Sequence, residues 1–222
     1  MSTTMAMEGT GVAVDSPDAL AQMAVQLQER ISHLSPELDP SWSDVLLSQW
    51  PVLQYVTDAA LRDELMIKLL LRDYPALPSA GRLTCPEARL VLLPRGGILQ
   101  SLAALAIACR PGVLRCCIDR EVRMVMESAL GPFFGPLVEV SSGGRPVSAQ
   151  AAGWSPLHWS CMGYLDWLPL LRRDDRLFRR VVRLSLPAGL LAMHKRRRAA
   201  PLQLRPSAAM EMLCRMETGW PC

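Results

Sequence analysis

The run Ile98 to Cys109, ILQSLAALAIAC, is apolar nearly all the way round a helical wheel. A helix without a polar face has to sit inside, enclosed by elements that bring their own apolar stripes. It is too short to span a bilayer, and Gln100 and Ser101 interrupt it. The chain therefore needs several neighbouring helices to bury one, and half of its 222 residues are apolar, enough for a sizeable core.

Those neighbours are legible as apolar residues recurring at steps of three and four. Ser16-Pro17-Asp18 has the hydroxyl, proline and carboxylate of a helix start, and Leu20, Met23, Leu27, Ile31 and Leu34 follow as one stripe. Ser41 is placed to cap a short helix that reaches Trp50 and is ended by Pro51. Thr57-Asp58 opens a helix carrying Leu61, Leu65 and Leu69 to Asp73, and Tyr74 to Gly81 reads as a loop. Thr84 to Leu93 suits a short helix. Val113 to Leu130 suits a longer one, apolar at Leu114, Ile118, Val122, Val125 and Met126 and stopped by Gly131-Pro132. Ser155-Pro156 starts a helix that reaches Leu171 with a kink at Pro169. Asp174-Asp175 begins another, in which Leu177, Val181 and Leu184 point inward. Ser207 caps a last helix through Met216, and Arg183 to Pro187, RLSLP, is the one strand candidate.

The fold class these readings predict is mainly α, a single compact multi-helix domain with a flexible N-terminal leader. Residues 1–15 form the disordered leader and 16–140 the helical N-terminal and central part. Residues 141–153, SSGGRPVSAQAAG, read as a linker. Residues 154–222 form a Trp-bearing, Arg-rich helical part packed on the same domain. The first eighteen residues lack a basic segment followed by an apolar one, so no secretory signal is expected. Seven scattered cysteines, two of them adjacent at Cys116 and Cys117, predict reduced thiols in a soluble cytoplasmic protein.

Charge is distributed unevenly. Up to Ala80 there are eleven acidic residues against four basic; from Arg172 to Arg198 there are ten basic against two acidic. Six of those arginines fall in Arg172 to Leu184, RRDDRLFRRVVRL, and Lys195-Arg196-Arg197-Arg198 makes a second cationic knot. Arg172, Arg176, Arg179, Arg180 and Arg183 advance by steps that share one broad helix face. Three readings of that face compete: a solvated face, a nucleic-acid or anionic-membrane patch, and a protein-docking patch. Arginine suits the third because its planar fork meets carboxylates bidentately. Trp42 and Trp50 are the aromatic candidates for an interface, against a plain core role.

Catalytic and metal chemistry find little support. His158 and Cys161 are the one His/Cys pair at helical spacing, and no second ligand pair accompanies them. Gly96-Gly97 precedes an apolar helix but lacks the spacing of a phosphate-binding loop. Asp63-Glu64 and Asp174-Asp175 are adjacent, hence splayed on a helix. The expectation is a non-enzyme with no catalytic, cofactor-binding or metal residues and no small-molecule substrate. A helical nucleic-acid-binding regulator using Arg172 to Arg198 is the alternative.

Taken in order, several segments resemble a known family. Pro40-Ser41-Trp42 resembles an N-terminal "HPSWL"-like element. The Leu/Ala helix at Ile98 to Cys109 leads into Val113-Leu-Arg-Cys-Cys-Ile-Asp-Arg, similar to an "IRRCV"-like helix. A helix at Arg120 to Leu130, a linker and a Trp-bearing helix follow, and Arg183-Leu-Ser-Leu-Pro resembles an "RLSLRLP" ending. Their order is similar to that in the type III secretion sorting-platform accessory proteins, SctK (the YscK and Hrp-type group), over residues 38–190. The leader and the Lys195–Arg198 knot depart from that pattern. The resemblance implies a cytoplasmic scaffold, peripheral at the cytoplasmic face of the inner membrane. It would bridge the cytoplasmic domain of the ring protein SctD and the pod (C-ring) protein SctQ, and indirectly the SctL–SctN ATPase complex. It supplies no residue-by-residue binding motif. The candidates Arg172, Arg176, Arg179, Arg180, Arg183, Trp42 and Trp50 therefore rest on the physical reading alone.

Overall fold

The computed structural model describes residues 17–72, 80–141, 143–189 and 200–216. The expected leader 1–15, residues 74–79 of the expected loop and the Lys195–Arg198 knot lie outside them. The helices are α1 (Pro17–Ser32), α2 (Ser41–Gln49), α3 (Ala59–Leu71), α4 (Pro86–Arg89), α5 (Arg95–Ala108) and α6 (Gly112–Cys116). They continue with α7 (Arg120–Leu130), α8 (Phe134–Ser141), α9 (Ala149–Ala152), α10 (Pro156–Trp167), α11 (Arg176–Leu184) and α12 (Pro206–Arg215). Short 3-10 turns join several of them, and no strand occurs among the described residues. The mainly α, single-domain expectation is met.

The predicted central helix is α5, buried without a break from Ser101 to Ala108. It crosses α10, itself buried from Trp159 to Trp167. The crossing is made of backbone: a Cβ built on Gly163 would lie 1.8 Å from the Leu102 carbonyl oxygen. Three residues earlier, Ser160 Oγ donates to the Leu99 carbonyl at 2.7 Å. Small residues thus let two apolar helices approach more closely than side-chain interdigitation allows. Helices α7, α8 and α12 close around α5, while α1 lies over the 3-10 turns at Ala80–Thr84 and Leu90–Leu92.

Below the crossing sits a fully buried ion pair. Arg110, just beyond the end of α5, and Asp166 of α10 both have side chains with 0% exposure. Arg110 Nη1 donates to Asp166 Oδ2 at 2.6 Å and to the Ala106 carbonyl at 2.9 Å. Its Nε donates to the Ala200 carbonyl at 2.6 Å. One guanidinium therefore fastens α5, α10 and the approach to α12 together. A buried pair of this kind adds little net stability, yet removing one partner costs about 3–5 kcal/mol through the stranded charge.

Several boundaries differ from expectation. The stretch Val113 to Leu130 is two helices, because the Asp119 side chain accepts from Glu121 N at 2.8 Å and Val122 N at 3.2 Å and starts α7 afresh. Thr84 to Leu93 is the single turn α4 between 3-10 turns. Ser41 does not cap α2; its hydroxyl donates to Asp39 Oδ1 at 2.6 Å, and Asp39 accepts from Ser41 N. Helix α8 is absent from the sequence reading; its Pro136 falls in the first turn, where proline is tolerated. Helix α10 gives way to a 3-10 turn at Leu168–Leu170. The RLSLP piece is the end of α11 followed by a buried turn.

The segment read as a linker connects the two expected parts, and several of its described residues pack against the domain. Ala151 and Ala152 are buried in α9. A Cβ on Gly144 would come within 2.1 Å of Gly112 N. Arg145 N and the Arg145 carbonyl bond the amide of Gln203 at 2.7 and 2.9 Å.

Replacing Gly163 with alanine is expected to cost at least about 3 kcal/mol, since two backbones must separate. Gly135→Ala, where an added Cβ meets nothing within 4 Å, is the control and should be neutral or mildly stabilising. Urea midpoints of the two variants decide the matter; equal midpoints would refute the close crossing.

Candidate docking surface

The arginine helix folds as its pattern dictates. Leu177, Phe178, Val181, Val182 and Leu184 are buried, forming one apolar stripe, and the arginines fall outside it. The structure then divides the predicted arginine face in two. Arg179, Arg180 and Arg183 are half-buried, and each binds backbone carbonyls. Arg179 Nη2 donates to the Arg172 and Leu171 carbonyls at 2.7 and 3.3 Å. Arg180 Nε donates to the Leu70 carbonyl at 3.1 Å. The Arg183 fork donates to Pro187 at 2.6 Å, Ala188 at 2.6 Å and Leu186 at 3.2 Å. Arg172 and Arg176 are exposed, with Arg173 beside them.

Trp42 explains the inward half. It is 9% exposed and lies beneath two guanidiniums, with Arg183 and Arg180 centred 4.9 and 5.2 Å from its ring. Its Nε1 donates to the Leu186 carbonyl at 2.9 Å, 144 residues away in sequence. Stacking of this type contributes about 0.5–2 kcal/mol, more where water is excluded. Around it, Asp39 N donates to the Leu184 carbonyl at 2.8 Å and Ala188 N to Ser41 Oγ at 2.9 Å. Pro40-Ser41-Trp42 and Arg183 to Pro187 therefore form one joint. Trp50 is half-buried, ends α2 through a bond to the Leu46 carbonyl, and packs against the core. Neither tryptophan stands out as a free anchor. The most exposed apolar side chains are others: Tyr55 at 83% and Val52 at 65%, three apart on a 3-10 turn, and Ile118 at 92%, which the sequence pattern puts on the apolar face with Val125.

Arg95 locks the joint. Its Nη2 meets Asp39 Oδ2 at 2.8 Å and its Nε donates to the Ser185 carbonyl at 3.2 Å. Its backbone N–H donates to Glu37 Oε2. That carboxylate occupies the start of α5, next to Gly96-Gly97, where a phosphate would sit in a nucleotide-binding loop.

The exposed half is set up by Asp175. Its carboxylate takes a bidentate grip from Arg82, at 2.6 and 3.0 Å, and a bond from Arg172 N at 2.8 Å. Burial pushes the Asp175 carboxyl up. The bonds from Arg82 and Arg172 N, with the charges of Arg82 and Arg179, outweigh burial and leave it below the usual carboxylate range. The same bond raises the Arg82 guanidinium. With Asp175 withdrawn to 1% side-chain exposure, Arg172, Arg173 and Arg176 form an exposed cationic rim, and none has an ion pair among the described residues.

The remaining candidates for chemistry are accounted for inside the fold. Cys161 is buried, which pushes its thiol up to about 11; Arg183 pulls down and Asp39 pushes up more weakly. His158 Nδ1 pairs instead with Ser155 Oγ at 2.7 Å, at the cap of α10. Among the described residues no three His, Cys, Asp or Glu side chains stand together as a metal site. Cys85, Cys109, Cys116, Cys117 and Cys161 are free thiols. No helix of the described residues is long and apolar enough to cross a membrane. No protein-family model, curated protein or solved structure matches this chain.

The depressed Asp175 carboxyl stabilises the fold above its unfolded value, near pH 4, and that contribution fades as pH falls through the lower folded value. Arg82→Met is expected to remove it, so the variant should lose less stability than wild type as pH falls below about 4. Parallel acid-unfolding curves would show that the pair carries no such linkage. At neutral pH, Cys161 should react with a thiol reagent only once the chain unfolds, which mass mapping of labelled peptides checks.

Proposed function

We propose that this chain is a non-enzymatic scaffold that docks on an acidic surface of a partner protein through Arg172, Arg173 and Arg176, within the sorting platform of a bacterial type III secretion system. In this reading it bridges the cytoplasmic domain of the ring protein SctD and the pod protein SctQ. It thereby helps to place the SctL–SctN ATPase complex, from a position peripheral to the inner membrane.

The observation that carries the reading is the joint between Pro40-Ser41-Trp42 and Arg183 to Pro187. These are two of the segments on which the family resemblance rests, and similarity arising by chance gives no reason for them to interlock across 144 residues. The exposed rim supports the docking half of the reading. Arg179, Arg180 and Arg183 are bound to neutral carbonyls, so their positive charge adds to the field around the rim instead of being cancelled.

A pull-down from the native bacterium tests this, with the wild-type chain and an Arg172→Glu, Arg173→Glu, Arg176→Glu variant as baits. Arg179 and Arg180 are left intact because they hold the carbonyls of Leu171, Arg172 and Leu70. Wild type is expected to recover the pod and ring proteins, and the variant to lose them at an unchanged melting temperature. Recovery by both baits would move the interface elsewhere. Nuclease-sensitive nucleic acid without any secretion component would sink the scaffold reading.

A further inference from the structure

Resting on the docking reading, we propose that the rim takes an acidic protein segment that also carries one cationic side chain, and that Asp174 is the residue that selects it. Along the turn into α11 the exposed residues are, in sequence, Arg172, Arg173, Asp174 and Arg176, while Asp175 is drawn inward by Arg82. The rim therefore presents two positive charges, one negative and one positive, rather than an unbroken cationic row.

A nucleic-acid backbone or an anionic lipid surface carries negative charge at every position. It would place one such charge against Asp174, and like charges in contact cost what opposite ones gain. A polypeptide can alternate. Glutamates or aspartates meet Arg173 and Arg176, with the planar guanidinium fork suited to each carboxylate. A lysine or arginine between them meets Asp174.

The surface has a place for that side chain. A cleft of about 430 Å³ opens beside the rim, lined by Arg82, Thr84, Cys85, Arg172, Asp174 and Asp175. Arg82 and Asp175 neutralise each other within it. Arg82 also meets Glu87 at 3.5 Å, and the other charged residues of the lining are Arg172 and Asp174. Thr84, whose hydroxyl donates to the Gly81 carbonyl at 2.9 Å, keeps acceptor capacity for an ammonium or guanidinium. A cation from the partner enters between Asp174 and Thr84 while the neighbouring carboxylates reach the arginines outside.

Three probes test the selection by fluorescence anisotropy on the full chain: a glutamate-rich peptide with one central lysine, the same peptide with glutamate there, and an oligothymidylate of equal length. Wild type should bind the lysine-containing peptide best, by about two- to fivefold over the all-glutamate one, the worth of one exposed ion pair. Asp174→Asn should erase that preference and strengthen oligothymidylate binding by a similar factor. The Arg172→Glu, Arg173→Glu, Arg176→Glu variant should lose both peptides. If Asp174→Asn leaves the ranking unchanged while the arginine variant loses the peptides, the selector role falls and the docking face stands. If the arginine variant binds as wild type does, or wild type binds neither peptide, both ideas fall. Tightest wild-type binding to oligothymidylate overturns both in favour of a nucleic-acid surface. All four positions are exposed, so each variant is expected to fold, which circular dichroism verifies.

Discussion

Gly163 sets the backbone of α10 against the Leu102 carbonyl of α5, and the rest of the molecule is arranged around that contact. Two apolar helices held this closely leave no room between them for a layer of side chains. The tryptophans of α10 therefore project elsewhere: Trp159 tilts against Trp154 and Trp167 against Tyr164, each pair packed beside the crossing. Helices α7, α8 and α12 fill the flanks, and the buried Arg110–Asp166 pair closes one end. A neutral residue in place of either charge would leave the other in an apolar interior, so the pair constrains which helices can end there more than it adds to stability.

Arginine recurs throughout as a fastener for carbonyls. Arg89 holds those of Leu83 and Thr84, Arg110 those of Ala106 and Ala200, and Arg183 those of three successive residues after α11. A fold made of short helices and 3-10 turns exposes many orphan carbonyls at their ends. The five-donor guanidinium can satisfy several of them at once. Around α11 the same habit leaves charge in place, because Arg179, Arg180 and Arg183 bind neutral carbonyls and keep theirs.

Much of the architecture is legible in the residues themselves. The buried α5 follows from a helix with no polar face, the start of α10 from Ser155-Pro156, and the inner stripe of α11 from Leu177, Val181 and Leu184. Other features were hidden because one composition serves two structures. The apolar stripe runs on past Cys117 and Ile118, so periodicity hides the new helix that Asp119 begins. Glycine and serine between 141 and 153 suit a flexible tether and a tight packing contact equally, and only the approach of Gly112 to Gly144 separates them. The candidate site was half legible. Spacing puts the arginines on one side of a helix, but no pattern along the chain tells a guanidinium bound to a carbonyl from one bound to water. Trp42 and Arg183 are distant in sequence, so their stacking belongs to tertiary structure alone.

The joint around Trp42 also dictates when the molecule can be completed. Ser41 and Trp42 find their partners at Ala188 and Leu186, so this joint waits for about 144 further residues. At ordinary translation speeds of about 5–20 residues per second, that delay is roughly seven to thirty seconds. Until then Trp42 lacks the Leu186 carbonyl and the Arg183 guanidinium that meet it in the folded chain. Such non-local closure slows folding relative to a bundle of sequential hairpins. The joint around Trp42 can shut only once residues 184–188 have joined the residues made first.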